Sequence, residues 1–381
     1  MDMIYLNNAA TTYPKPQCVT DAYTAAFSAP PAGQFRSSGQ GVEKDIFTRC
    51  RENLGRLFGI SGPERIYFTS GATDSLNQLF YGLERKGRKI LTTQTEHNSV
   101  LRPLYNGIAE GAEVEIVPCD PYGYVSPEEF EKRLTPDVGL FVLNHCSNVT
   151  GMIQDAARFG EIAEKHGILF LLDASQSAGC IPIDCDAWHV DALVFTGHKG
   201  LFGPQGTGGY FLREGVRLRP CRFGGTGKDS SRLTYEDGDY EYETGTQNGH
   251  GVPALNAGAE YILERGVRSI AEEEQRLMEL LYDGLSEIQG VTVYGKKGWN
   301  LGPALSMNLE GLWPSELAYI LQNGYETVVR AGLHCAPLIH QAMGTQETGT
   351  VRISISALTQ EREAKEFLGI VREIAAAAAA E

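Results

Sequence analysis

Two strand-like runs end on residues able to face one ligand. The run ILFLLDASQSAG (168–179) closes on Asp173, with Gln176 three residues later. The run ALVFTGHKG (192–200) closes on Thr196, with His198 and Lys199 just beyond. A carboxylate at one strand end and a lysine past a neighbouring one suit pyridoxal phosphate. There a lysine forms a Schiff base and an aspartate keeps the pyridine nitrogen protonated, so that the ring withdraws electrons. Taken alone, the same residues are as readily a solvated pair at loop ends. A third group is the thiol of Cys335 in RAGLHCAP (330–337), with Arg330 and His334 close by as candidates to activate it. A fourth is Arg352 in GTVRIS (349–354), whose guanidinium suits a bidentate grip on a carboxylate.

The elements around these residues read as an α/β fold. Strand signals fall at Arg65–Thr69, Lys89–Thr93, Glu113–Val117, Gly139–Leu143, Ile168–Asp173 and Ala192–Thr196, with amphipathic segments such as 156–166 between them. Apolar strands alternating with helices predict a mostly parallel sheet with right-handed crossovers and a ligand site at the strands' carboxyl ends. A single long helical stretch is expected over 255–290. Beyond it, strands at Val291–Tyr294, Leu305–Leu309 and Val351–Ile355 and helices at 314–323 and 360–374 predict a smaller α+β unit. The alanine-rich end after Ile374 reads as a frayed helical tail.

Composition narrows the function classes. The chain has 381 residues and a net charge of −15, which argues against a nucleic-acid partner. No apolar run approaches the ~20 residues that span a bilayer, and the start lacks a signal-peptide core, so a cytoplasmic protein is expected. Eight scattered cysteines without a CxxC pair fit free thiols in a reducing compartment, with no zinc spacing and no metal expected. Glycine is in excess at 44 residues, and 14 of these fall within 195–251, the stretch that carries Lys199. Glycines clustered after a strand end suit a loop that approaches a ligand closely.

Nine segments, taken in order, are similar to the class V aminotransferase-fold family of pyridoxal-phosphate enzymes, and in particular to its cysteine desulfurase and selenocysteine lyase branch. They are YLNNAATT (5–12), FTSGATDSLN (68–77), TEHNSV (95–100), HCSNVTG (145–151), LLDASQSAG (171–179), FTGHKGLFGPQGTG (195–208), YETGTQN (242–248), RAGLHCAP (330–337) and GTVRIS (349–354). The resemblance implies a fold-type-I, aspartate-aminotransferase-like architecture. It implies a large cofactor-binding unit over 16–250 and a small unit formed by 1–15 and 251–381. Lys199 would hold the cofactor, Asp173 would pair with its ring nitrogen, and Asn148 and Gln176 would lie near its phenolic oxygen. His97 would stack on the ring and serve as a proton shuttle. Ala72, Thr73, Thr196 and His198 would bind the phosphate, and Thr246 would reach the phosphate of a neighbouring subunit, implying a homodimer with a shared site. Asn8 and Arg352 would contact the substrate, and Cys335 would accept sulfur from L-cysteine as a persulfide, releasing L-alanine. A short segment after Cys335 leaves the onward acceptor open; the resemblance allows for a sulfur-acceptor protein. The loop 31–41, with Arg36, corresponds to the mouth of the family's site, and His340 has no implied role.

Three other readings stay open. A selenocysteine lyase, another C–S lyase, an epimerase or an aminotransferase could use the same scaffold. A cofactor-loaded dimer could act mainly as a relay partner. A nucleotide-binding Rossmann enzyme is disfavoured because no G-x-G-x-x-G follows the first strand.

Overall fold

The computed structural model describes residues 3–29, 45–85, 87–107, 111–225, 231, 233–234, 242–298 and 300–380. The loop around Arg36 lies outside them.

Seven strands form the main sheet, in the spatial order Ile66–Thr69, Gly208–Leu212, Ala192–Thr196, Leu169–Asp173, Val138–Asn144, Lys89–Thr93 and Glu113–Val117. Gly208–Leu212 runs against both of its neighbours, and the other pairings are parallel. All seven residues of Val138–Asn144 are buried, as expected for a strand covered on both faces. Phe141 stacks on Phe130 at 4.0 Å between ring centroids and lies 5.7 Å from Phe170, so one face is sealed by aromatic packing.

The strand Gly208–Leu212 was not anticipated, because its glycines read as loop. They are there for close approach. A Cβ on Gly208 would lie 2.6 Å from the Gly71 Cα, and one on Gly209 would lie 2.4 Å from the Tyr67 carbonyl oxygen. The bare backbone therefore lets this strand slide in beside Ile66–Thr69 and the turn that follows it.

The expected single helix over 255–290 is two helices, Gly251–Arg265 and Val267–Ser286. Gly266 separates them with φ +83°, a left-handed value that a helix cannot continue through. The first helix buries Val252, Leu255 and Ile262 in the core of the large sheet. The second buries Leu277, Met278 and Leu281 in a separate core with Leu305, Met307 and Phe367. Ile270, in the first turns of the second helix, still belongs to the large-sheet core, so the chain passes from one core to the other between Ile270 and Leu277. That second core backs an antiparallel sheet in the order Arg330–Gly332, Thr350–Ser354, Ala304–Leu309 and Val291–Tyr294. The terminal helix Glu361–Ala378 runs on through most of the alanines; Ile374 and Ala375 are buried, while Ala376, Ala377, Ala379 and Ala380 are exposed.

Candidate active site

The carboxyl ends of the parallel strands open into a cleft of about 430 Å³. Asp173 ends one strand and Lys199 follows the next. His97 follows Lys89–Thr93, Asn148 follows Val138–Asn144, and Ala72 and Thr73 begin the helix after Ile66–Thr69. The cleft is lined by all of these residues together with Gln176, Thr196, His198, Arg330 and Arg352. Eleven of the residues singled out in sequence therefore converge, although they are spread over 281 positions from Ala72 to Arg352.

Lys199 is half-buried and opens onto the cleft. The packed protein around its ammonium pushes its pKa down to about 8; the Asp173 carboxylate opposes this, and Arg352 and Arg330 add to it. Asp173 is 3% exposed and accepts the Ser175 backbone N–H at 2.9 Å, with the Ser175 hydroxyl on the same oxygen. Burial raises its pKa, while Ser175 and Lys199 restrain the rise.

His97 caps the helix Asn98–Tyr105. Its Nδ1 accepts the Ser99 N–H at 3.0 Å and faces the Ser99 hydroxyl at 2.8 Å. That leaves the proton of the neutral ring on Nε2. Burial pushes its pKa down to about 3, helped by Lys199 and the arginines, so the ring is neutral at ordinary pH.

Arg352 is 1% exposed. Its Nη1 donates to the Asn148 carbonyl at 3.0 Å and its Nη2 to Asn7 Oδ1 at 3.2 Å, while its Nε has no partner. Arg330 is its cross-strand neighbour and donates from Nη2 to Cys335 Sγ at 3.3 Å. Cys335 does not line the cleft itself; it is half-buried at its edge, reached through Arg330. His334 and Cys335 both have positive φ, 51° and 60°, an unfavourable pair for side-chain-bearing residues. Hydrogen bonds hold this bend in place. Asn148 Nδ2 donates to the His334 carbonyl at 2.7 Å, and the Asn98 N–H donates to that of Cys335 at 2.7 Å. The helix Pro337–Met343 follows at once, consistent with a short, structured segment.

Two expectations, those for Asn8 and His334, need correction, and Thr246 lies outside the main cleft. Asn8 does not line the cleft, because its amide is used internally, donating to the Ser354 carbonyl at 3.0 Å and accepting the Tyr13 N–H at 3.2 Å. The neighbouring Asn7 is the one that touches Arg352. His334 cannot lend charge to the thiol: it is 2% exposed, its Nε2 faces Thr350, and burial pushes its pKa down to about 2. Thr246 is exposed on a smaller adjoining cleft of about 190 Å³, which shares only Ser70 and Gly206 with the main one. His340 is fully buried and bonded to Thr345 Oγ1 at 2.7 Å, as befits a core histidine.

Sequence reading missed Lys15. Its Nζ donates to the His198 carbonyl at 2.8 Å, which also accepts the Thr12 N–H and the hydroxyls of Thr11 and Thr12. Thr12 Oγ1 further donates to the Lys199 carbonyl at 3.0 Å. Four donors on one carbonyl fix the peptide that carries Lys199. No local pattern in 5–16 could announce this contact, because its partner lies over 180 residues away.

The chain matches the profile of the family Aminotransferase class-V over residues 4–367. It is 33% identical to a probable cysteine desulfurase of Methanothermobacter thermautotrophicus, over 98% of this chain and 95% of that protein. It is 30% identical to a probable cysteine desulfurase of Pyrococcus abyssi, over 98% and 94%. Its structure superposes on the apo cysteine desulfurase of Thermococcus onnurineus NA1 with a TM-score of 0.86 and 30% identity, covering 99% of this chain and 95% of that one. The fold is that of these pyridoxal-phosphate enzymes, and the chain belongs to the class V aminotransferase family.

Proposed function

We propose that the protein is a pyridoxal-phosphate-dependent cysteine desulfurase that converts L-cysteine to L-alanine and leaves the sulfur on Cys335 as a persulfide. The observation that carries this reading is the hydrogen bond from Arg330 to Cys335 Sγ, which ties the thiol at the cleft's edge to an arginine that lines the cleft with Lys199, Asp173, His97 and Arg352.

The residues fit the cofactor. The helix Ala72–Gly82 starts at Gly71, φ +146°, with no side-chain cap, so its first N–H groups are free to meet a phosphate. Asn148 Oδ1, His198 Nδ1 and Arg352 Nε are buried without protein partners, which suits polar groups awaiting a ligand. Thr73, Thr196 and His198 would add phosphate donors, Asn148 and Gln176 would meet the ring oxygen, and Lys199 would bond the cofactor. Bound there, pyridoxal phosphate would supply an electron sink for the pair released when the substrate loses its α-proton.

The chain's own groups would do the rest. Asp173 holds a proton on the ring nitrogen. Arg352 receives the substrate carboxylate, and the guanidinium's unused Nε is available for it. Lys199, with its depressed pKa, takes the α-proton as a neutral amine and returns one. His97, neutral with its Nε2–H, would pack against the cofactor's ring and could pass a proton from Nε2. The Cys335 thiolate, held by Arg330, attacks the substrate sulfur. An S–S bond forms as the C–S bond breaks, the bonding pair stays on the carbon side, and proton capture there ends in alanine.

Thr246, exposed beside the main cleft, is proposed to serve the partner's phosphate in a homodimer. All eight cysteines are free, which supports a reducing, cytoplasmic setting. Among the described residues no helix is long and apolar enough to cross a membrane. A sulfur-acceptor protein would have to come to the pinned Cys335. Incubation with L-cysteine, with products and protein mass measured, tests the reading. Alanine with one added sulfur on Cys335 supports it; pyruvate and ammonia with unmodified Cys335 overturn it.

A further inference from the structure

Glu96 lies between the end of strand Lys89–Thr93 and the helix capped by His97, and it is fully buried. Its Oε1 accepts the Thr93 hydroxyl at 2.7 Å and the Asn144 N–H at 2.9 Å, while its Oε2 has no partner. No lysine, arginine or histidine among the described residues forms an ion pair with it. Asn144 is in turn the register partner of Asp173 across the parallel strands. Glu96 follows Lys89–Thr93 and Asp173 ends Leu169–Asp173, with Val138–Asn144 between these strands, so two carboxyl groups sit at the same end of the sheet; Asp173 lines the cleft and Glu96 does not. Asp173 is the ionisable group whose field reaches Glu96. His97 turns its ring to Ser99 and is neutral, and Lys199 acts on Asp173.

A buried carboxylate with a single hydroxyl, one N–H and no cation is poorly compensated, so the acid keeps its proton. Two carboxyls in one low-dielectric region also resist both ionising. In agreement, burial pushes Glu96 up to about 8, Thr93 pulls it back, and Asp173 adds to the rise. We propose that Glu96 is a positioning residue for Asp173: a carboxylic acid kept neutral behind the strand ends, so that Asp173 alone carries the negative charge at the floor of the cleft. This rests on the reading that Asp173 faces the cofactor's ring nitrogen. As pH rises and Glu96 ionises, a second negative charge appears beside Asp173 and strengthens its hold on a proton, so the charge presented to the ring changes.

The test uses the full chain loaded with pyridoxal phosphate, wild type against Glu96→Gln. The folded carboxyl keeps its proton to higher pH than the unfolded chain does. Its contribution to stability therefore falls from the ordinary carboxylate range up to about 8, and an amide has no such loss. Expected is a higher melting temperature for E96Q than for wild type at about pH 9 but not at about pH 5. Expected too is an inflection in the cofactor's visible absorption across that window in wild type that E96Q lacks. A melting difference equal at both pH values, or an unchanged inflection, overturns the proposal. Should E96Q not fold, infrared spectroscopy of Glu274→Gln decides. That variant removes the other buried glutamate, among the described residues, that is pushed to about 8, so a protonated-carboxyl band that titrates at alkaline pH belongs to Glu96, and its absence overturns the proposal. If the protein takes up no pyridoxal phosphate, the functional reading fails, while the melting comparison on the unloaded chain still judges Glu96.

Discussion

Lys199 offers the most direct quantitative prediction. An ordinary lysine, at about 10.4, is about 0.04% neutral at about pH 7. With its pKa held near 8, Lys199 is about one-tenth neutral at about the same pH, a gain of roughly 200-fold in reactive amine. Capture of pyridoxal phosphate by the unloaded protein requires that neutral amine, so its rate should rise with pH and level off above about 8. Asp173 is the group that opposes the depression, so Asp173→Asn should move the midpoint lower, whereas Arg352→Gln, which removes a repelling charge, should move it higher. Rapid mixing that follows the cofactor's visible band, with borohydride fixation and mass mapping to Lys199, measures both. A rate that climbs without a plateau to about pH 10, or variants that shift the midpoint in the opposite directions, would refute the electrostatic account of this lysine.

Other substitutions probe the remaining parts. Cys335→Ala should keep the bound cofactor but lower alanine formation on the order of 10³-fold or more, with no added sulfur detected by mass spectrometry. Arg352→Lys should raise the KM for L-cysteine on the order of 10-fold through loss of a charge-assisted hydrogen bond, with the effect read in steady-state kinetics. Gly208→Ala would place a Cβ 2.6 Å from the Gly71 Cα and 2.8 Å from the Phe195 carbonyl oxygen. It should cost about 1–3 kcal/mol in denaturant unfolding and weaken phosphate binding at the adjacent helix start.

The strands of the parallel sheet were legible because each is a short apolar run bounded by turns, and the ends carrying Asp173 and Lys199 could be read from the same runs. The strand Gly208–Leu212 was not legible. Its glycines answer to a backbone 137 positions away, at Gly71, and local sequence does not record such a neighbour. The break at Gly266 was missed for a related reason: one glycine in a helical pattern is tolerated or terminal according to its φ, which the tertiary path sets.

What the sequence determined by itself was chemical type: a lysine and an aspartate at strand ends, a cysteine near an arginine, and a second arginine in a later strand. Only the tertiary structure decided their states. It made Lys199 a weak base by enclosing it beside two guanidinium groups. It kept His334 neutral by burying it, which left Arg330 as the cation on Cys335. It also set Asn7, which the sequence did not single out, against Arg352. The reason is common to all of these: charge state and contact depend on solvent exclusion and on groups brought in from distant parts of the chain, and both come into being only when the chain folds.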